Sequence, residues 1–396
     1  MTAHLAVEAI MRQVPSEWRL VPFRRLAQER GVRNVDLSAP SLSLSSTGAL
    51  YERTDETDRQ FASEQSSRNA WVVHPGDLVV NPMWLFGGAI GVSDRHGAVS
   101  PDYRVYRLSR LLHPRFVHHL LRSPAYRDQY RLYMRAETTF DRRITKDDFN
   151  EMPLLVPPVR TQTRIADYLD AETSRIDAMI ELKRDSMRLA GESFRALQVR
   201  RVLNGLDPVN GKGQLPPGWR APLLGILVEL HRGLDLPAES REDGAIPVVS
   251  SGGISGFHSI AACAGPGVVT GRYGTVGEVF YVDSPYWPLN TTLYVSDFRG
   301  KHPKWVYHLL QTMPLDIDAE KSAVTGINRN VVGQLRTVEP PLAEQRQIAE
   351  ELDERHAVVE ETVRVLSRQV DLLRERRQAL LTAALTGQIE VPGVAA

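Results

Sequence analysis

Two stretches of the chain carry a repeating apolar pattern with charged residues between. In the first, Leu169, Ile176, Ile180, Met187, Phe194 and Leu197 recur at steps of seven, four, seven, seven and three. In the second, Leu352, Val359, Val363, Leu366, Val370, Leu373 and Leu380 step by seven, four, three, four, three and seven. Heptads sustained over this length predict a coiled-coil seam rather than a helix lying on a membrane surface. Pro157-Pro158 and Pro340-Pro341 set the starts, because proline is tolerated only at a helix's beginning. Glu344 falls in the first turn of the second helix, where the helix dipole favours an acid, and Gly387 supplies its stop. The helices are expected over about 159–203 and up to about 386. Each would span about 65 Å at about 1.5 Å per residue. Neither can bury such a stripe on a compact domain alone, so the two are expected to pair with each other. The first seam is the poorer one: Thr173 and Lys183 occupy seam positions, and Gly191 costs on the order of 1 kcal/mol against Ala.

The residues around these helices read as mixed α/β. "WVVHPGDLVV" and "GVVTGRYGTVGEVFYV" alternate or run apolar between Gly and Pro, which signals strands. "PRFVHHLLRSPAYRDQYRLYMR" and "PKWVYHLL" look helical. The same plan is written twice. "VPSEWRL" from Val14 is echoed by "LPPGWRA" from Leu215, and "HPRFVHHLLRS" from His113 by "HPKWVYHLLQT" from His302. "RITKDDF" from Arg143 returns more faintly as "GINRNVV" from Gly326, and "PPVRTQTRIADYLDA" from Pro157 as "PPLAEQRQIAEELDE" from Pro340. The lag shrinks from 201 (219 − 18) through 189 (302 − 113) to 183 (340 − 157), so the second copy is shorter in its variable parts while the landmarks persist. Insertions and deletions fall in loops more easily than in packed elements. The expected division is a globular segment 1–156, a helical segment 157–205, a globular segment 206–339 and a helical segment 340–390.

Composition narrows the class. The chain has 396 residues, 42% hydrophobic and 24% charged, enough for two or more domains with buried cores and not the make-up of extended disorder. Its opening lacks the basic and apolar regions of a signal peptide, and no run approaches the roughly 18 apolar residues of a membrane span, so the expected compartment is the cytoplasm. One cysteine, Cys263, permits neither an internal disulfide nor a CxxC metal knuckle. Lys plus Arg number 48 against 48 Asp plus Glu, a balance unlike that of a strong stand-alone nucleic-acid binder. Yet Arg104 to Arg143 holds ten Arg and three acids, with Tyr106, Tyr126, Tyr130 and Tyr133 interleaved. That stretch suits phosphate contact and base stacking, or is a solvated helix face.

Catalytic constellations are poor. "NPMW" comes near the [DN]PP[YF] motif of adenine methyltransferases, but Met83 replaces the second proline and no glycine-rich cofactor turn precedes it. "FGGAIG" and "GRYGTVG" lack GxGxxG spacing and a P-loop Lys-Ser/Thr, and read as tight turns between strands. His118 and His119 are adjacent rather than one helical turn apart, which does not suit a metal.

Taken together, the duplicated "PP…Q..IA..LD" openings, "GDLVVNPMWLFGGAIGVSD" and "GRYGTVGEVFYVDSPYWPLNTTLYV" resemble the specificity (S) subunit of a Type I restriction–modification system over nearly the whole chain. One departure is Thr161-Gln162, where the family usually has Glu-Gln, as at Glu344-Gln345. The resemblance implies two target-recognition domains alternating with two long helices that form an antiparallel coiled coil, with a pseudo-twofold internal repeat. It implies a non-catalytic subunit whose domains each read one half of a bipartite, asymmetric double-stranded DNA site while the helices set the spacer. It further implies two methyltransferase (M) partners that hold S-adenosylmethionine and methylate adenine N6, and restriction (R) subunits that use ATP and Mg. No cofactor is expected in this chain. The residues expected at DNA are Asn81, Trp84, Arg142 and Arg143 in the first domain. In the second they are Arg272, Tyr273, Asn290, Thr291, Thr292, Asn328 and Arg329. Turn capping is the rival role for the Asn and Thr residues, and a place in the core for Trp84. Two other readings stay open: a self-contained DNA-modifying or cleaving enzyme with unrecognised motifs, and a coiled-coil scaffold that binds no DNA.

Overall fold

The computed structural model describes residues 14–53, 64–133, 143–317 and 326–392. Arg142 therefore lies outside the described residues. The chain forms two compact units, Met1–Leu182 with Arg368–Ala396, and Lys183–Ser367. The architecture is mixed α/β, with long helices at Val159–Leu203 and Leu342–Leu385.

Each unit is built on a four-stranded antiparallel sheet with the same strand order. In the first unit Ala27–Glu29 pairs with Arg104–Leu108, which pairs with Asp77–Val80, which pairs with Ile90–Val92. In the second unit Glu229–Arg232, Thr292–Asp297, Gly267–Gly271 and Val279–Val282 repeat that order. Asp77–Val80 is buried throughout, as an interior strand covered on both faces requires. A helix packs on each sheet, Pro114–Arg122 in the first unit and Pro303–Thr312 in the second. Proline opens both, where its missing N–H removes no helical bond. Their apolar faces lie in the two cores: Phe116, Val117, Leu120 and Leu121, then Trp305, Val306, Leu309 and Leu310. Burying a side chain of this size contributes roughly 1.5–3 kcal/mol.

The repeat extends to the segments that close each unit. Arg19–Pro22 pairs antiparallel with Pro153–Val156, in the register Arg19 to Val156. Arg220 bridges Glu339 and Leu223 bridges Arg336 in the same sense. The tryptophans of the echoed phrases stand just before these pairings. Trp18 is buried in the first core and Trp219 packs against the second. Between the sheets' edges the copies diverge. The first unit inserts two two-stranded ladders, and the second a three-stranded sheet in which Ile246–Ser250 pairs Gly253–His258 and Trp287–Pro288.

The long helices begin where the proline pairs place them. Gln162 N–H donates to Pro158 O (3.0 Å) and Gln345 N–H to Pro341 O (3.0 Å), so each second proline supplies the first helical acceptor. At Gly387 the chain turns left-handed (φ 72°), and Gln388 N–H reaches back to Ala383 O (2.8 Å), closing the helix in a Schellman turn. Burial along both helices follows the heptads. Leu169, Ile176, Ile180, Leu352 and Val370 are buried, and Met187, Phe194, Leu197, Val359, Val363, Leu366, Leu373 and Leu380 are half-buried. Within the first unit Arg377 pairs with Asp177 (3.0 Å). Within the second, Phe194 lies on His356 (ring centroids 5.1 Å) and Arg201 pairs with Glu351 (2.5 Å). In both units the pairing is antiparallel, rising numbers on one helix meeting falling numbers on the other. Thr173, buried in the seam, satisfies its hydroxyl by donating to Leu169 O (2.7 Å).

Candidate nucleic-acid interface

The polar residues of the repeated helix opening have a specific task. In the first unit Gln162 Oε1 accepts from His113 N–H (2.7 Å), while Nε2 donates to Leu111 O (2.8 Å) and Pro157 O (2.8 Å). In the second, Gln345 Oε1 accepts from His302 N–H (2.9 Å) and Nε2 donates to Pro340 O (2.9 Å). Two turns on, Asp170 meets His119 (2.6 Å) and Arg115 (2.6 Å), as Asp353 meets His308 (3.0 Å) and Lys304 (2.6 Å). Ile165, Ala166 and Leu169 complete the contact in the first core, and Ile348, Ala349 and Leu352 in the second. The phrase is thus a clamp that fixes each long helix to the sheet-covering helix of its own unit. Leu169 and Leu352, expected as seam residues, belong to these globular cores as well.

Burial drives the electrostatics of the clamps. It holds His119 and His308 below the usual imidazole range, and the neighbouring carboxylates only partly oppose it. Burial also acts to raise Asp170 and Asp353, but hydrogen bonds from His119 and Arg115, and from Lys304 and His308, outweigh it and leave both carboxyls lowered. His118 is pushed down to about 4 by burial and then by Arg122, and its Nδ1 accepts from Val92 N–H (3.3 Å). Glu344 is more than a dipole partner: its carboxylate accepts from Trp219 Nε1–H (2.8 Å). Thr161 holds the matching place in the first unit and is buried.

Opposite the clamps, segments distant in sequence meet at one end of each sheet. In the second unit Arg272 and Tyr273 open the hairpin loop after Gly267–Gly271, and both N–H groups donate to Thr291 O (2.8 and 3.2 Å). Ile327 N–H donates to Arg272 O (3.0 Å) and Tyr273 bridges Gly326. The Arg272 guanidinium lies 4.4 Å over the Tyr273 ring. In the first unit Asn81 opens the corresponding loop, Ile144 N–H donates to Pro82 O (3.3 Å), and Arg143, itself exposed, precedes the buried Ile144. Trp84 stands in that loop and is 55% exposed, so the core is not its place.

Several expected contacts are committed elsewhere. Thr292 is 0% exposed and donates to Leu289 O (2.7 Å), a turn role that leaves it no access to a base edge. Asn328 caps Arg329–Val332 by accepting from Asn330 N–H (3.0 Å), and Asn81 accepts from Met83 N–H (3.1 Å) within its own turn. Asn290 pairs through its amide with Asp235, and Arg329 turns toward Leu230 O (3.5 Å). Much of the basic stretch is also structural. Arg104 donates to Ile144 O (3.0 Å) and Thr145 O (3.2 Å), and Arg115 serves the clamp. Tyr106, Tyr126 and Tyr130 are buried, so they are not stacking platforms. Among the described residues no group of three His, Cys, Asp or Glu side chains could hold a metal, and no helix is long and apolar enough to cross a membrane.

One further pattern escaped the sequence reading. Val358, Val365 and Leu372 stand exposed at steps of seven on the second long helix, and Leu182 and Leu189 on the first. Val358, Val365, Leu372 and Leu182 each lie one residue before a seam position, and Leu182 and Leu189 match Val365 and Leu372 across the repeat. A second heptad set was the signal that could have revealed it.

No protein-family model and no curated protein sequence matches the chain. Solved structures do match. The chain is similar to one in a structure of the type I R-M system that addresses complex assembly and conformational transition, with a TM-score of 0.78 and 18% identity, covering 95% of this chain and 99% of that one. It is also similar to the HsdS subunit from Thermoanaerobacter tengcongensis, with a TM-score of 0.57 and 19% identity over 95% of this chain and 98% of that one. These likenesses show the class of fold: the mixed α/β architecture with two long helices is shared with type I R-M proteins.

Proposed function

We propose that the chain is the DNA-recognition subunit of a type I restriction–modification system. Each unit reads one half of a bipartite, asymmetric duplex site with the loop end of its sheet, and the long helices serve as the spacer element. The observation that carries this reading is the duplicated clamp, which ties two sheets of one topology, differing in their loops, to one repeated helix opening. A reader of two different half-sites needs that combination of fixed frame and divergent tips. The fold shared over 95% of the chain with a type I R-M protein supports it.

In each unit exposed heptad residues, Leu182 and Leu372 in the first and Leu189, Val358 and Val365 in the second, supply apolar contacts for a helix of a methyltransferase subunit. Those partners bring S-adenosylmethionine and adenine-N6 chemistry, and restriction subunits bring ATP- and Mg-dependent cleavage. The chain itself contributes recognition, not catalysis, in the cytoplasm. Partner subunits supply part of the phosphate contact, which reconciles DNA binding with 48 basic against 48 acidic residues.

The test is a genome-wide map of N6-methyladenine in cells expressing the cognate methyltransferase with and without this chain. A two-part motif that appears only with the chain is the expected result. Methylation that is unchanged by the chain, with the complex shown to assemble, would count against the reading.

A further inference from the structure

The "FGGAIG" run and three arginines of the basic stretch converge on one structure. The turn between Leu42–Leu44 and Leu50–Glu52 presses its backbone against the return limb of the Trp84 loop. A Cβ on Gly91 would lie 1.9 Å from Gly48 O, and one on Gly88 would lie 2.7 Å from Ser46 O. A Cβ on Gly48 would meet Ile90 O at 2.7 Å, and Gly48 and Gly88 are left-handed at φ 79° and 89°. Only glycine permits this approach at these positions. The carbonyls so gathered share one cation. Arg122 Nη1 donates to Gly88 O (2.5 Å) and Ile90 O (3.2 Å), and Nη2 to Ser46 O (3.2 Å). Arg131 then places its guanidinium 4.5 Å over the Phe86 ring. Within the loop, Trp84 N–H donates to Asn81 O (3.2 Å) and its carbonyl accepts from Ala89 N–H (3.1 Å).

The surface left outside this weld carries Trp84, Ser46 and Thr47, all exposed, with Arg127 beside Gly88 (3.0 Å from a Cβ built there). An exposed indole and hydroxyl side chains, with the half-buried Arg127 guanidinium beside them, form a surface for a polyanion with π-faces. In the second unit Gln311 stands where the repeat places Arg122, and it accepts from Gln198 Nε2 (2.6 Å) instead of gathering loop carbonyls.

We infer that the turn 45–48 and the loop 81–89 form one composite DNA-reading surface, and that Arg122 is its positioning residue, serving the first half-site alone. The inference rests on the proposed function and names the elements by which the first unit reads.

The test uses the chain assembled with its methyltransferase subunits and duplexes altered in one half-site at a time. Arg122→Ala should reduce discrimination at the first half-site by about tenfold or more and leave discrimination at the second unchanged. Thr47→Glu, an exposed change that leaves the weld intact, should weaken specific binding by at least tenfold through repulsion from phosphate. Wild-type binding without any bipartite preference would refute the proposed function itself. Wild-type preference with Arg122→Ala losing both half-sites equally, or with Thr47→Glu binding normally, would overturn this inference alone.

Discussion

Gln345→Leu tests the clamp most directly. Gln345 is 2% exposed, and its amide orientation is dictated by its neighbours: His302 N–H needs an acceptor and Pro340 O needs a donor. Leucine fills nearly the same volume and satisfies neither. Leaving one buried donor and one buried acceptor unpaired costs about 1–3 kcal/mol each, so about 2–6 kcal/mol in all. Replacing the amide by methyl groups returns on the order of 1 kcal/mol of apolar burial, which is too little to offset the loss. For a unit of this size the net of about 1–5 kcal/mol corresponds to a fall of roughly 2–20 °C in melting temperature. Calorimetry would read it, with amide exchange at His302 reporting whether the opening is local. Gln345→Glu sharpens the argument. Its carboxylate accepts from His302 but faces the Pro340 carbonyl, so its folded-state pKa is raised. Its stability should therefore recover as pH falls and the group protonates, and be lost again as pH rises. A melting temperature indistinguishable from wild type for both variants would refute the clamp.

Three further outcomes follow from the same geometry. His119 and His308 sit below the ordinary 6.5, and Asp170 and Asp353 below the ordinary 3.8, so the unfolded chain binds more protons than the folded one on the acid side. Melting temperature should be flat from neutral pH to about pH 9, fall as pH drops through the imidazole range, and fall again near pH 4; a rise between pH 7.5 and 5 would contradict the assignment. Leu352→Glu puts a carboxylate into a fully buried position of the second core, a loss of about 3–5 kcal/mol that circular dichroism melting would detect. Arg272→Ala should remove about 1–3 kcal/mol of base discrimination at the second half-site and spare the first, as competition binding with singly altered duplexes would show.

The heptads and proline pairs made the long helices legible, because both signals are local. The role of Gln162 and Asp170 was not, because their partners His113 and His119 lie about 50 residues upstream and meet them only when the unit closes. A signal was available: the two echoed phrases keep the same polar residues, Gln162 and Gln345, Asp170 and Asp353, His119 and His308, amid apolar neighbours. The basic stretch misled for the opposite reason. Composition counts guanidinium groups without saying which face carbonyls, and Arg104, Arg115 and Arg122 are committed to the protein itself.

If the chain reads DNA as proposed, this division between committed and variable residues accounts for one plan serving two half-sites. The identical pairs Gln162 and Gln345, Asp170 and Asp353, and His119 and His308 work in the clamps, where leaving a buried partner unpaired costs about 1–3 kcal/mol. The copies diverge in chain path in the inserted ladders, and in sequence in the loops after Asp77–Val80 and Gly267–Gly271. Substitution there alters what the tip can touch and leaves the clamp's hydrogen bonds intact. The first unit braces its tip with Arg122 and glycine contacts, and the second stacks Arg272 on Tyr273. Two different braces on one frame are what independent tuning of two reading tips requires.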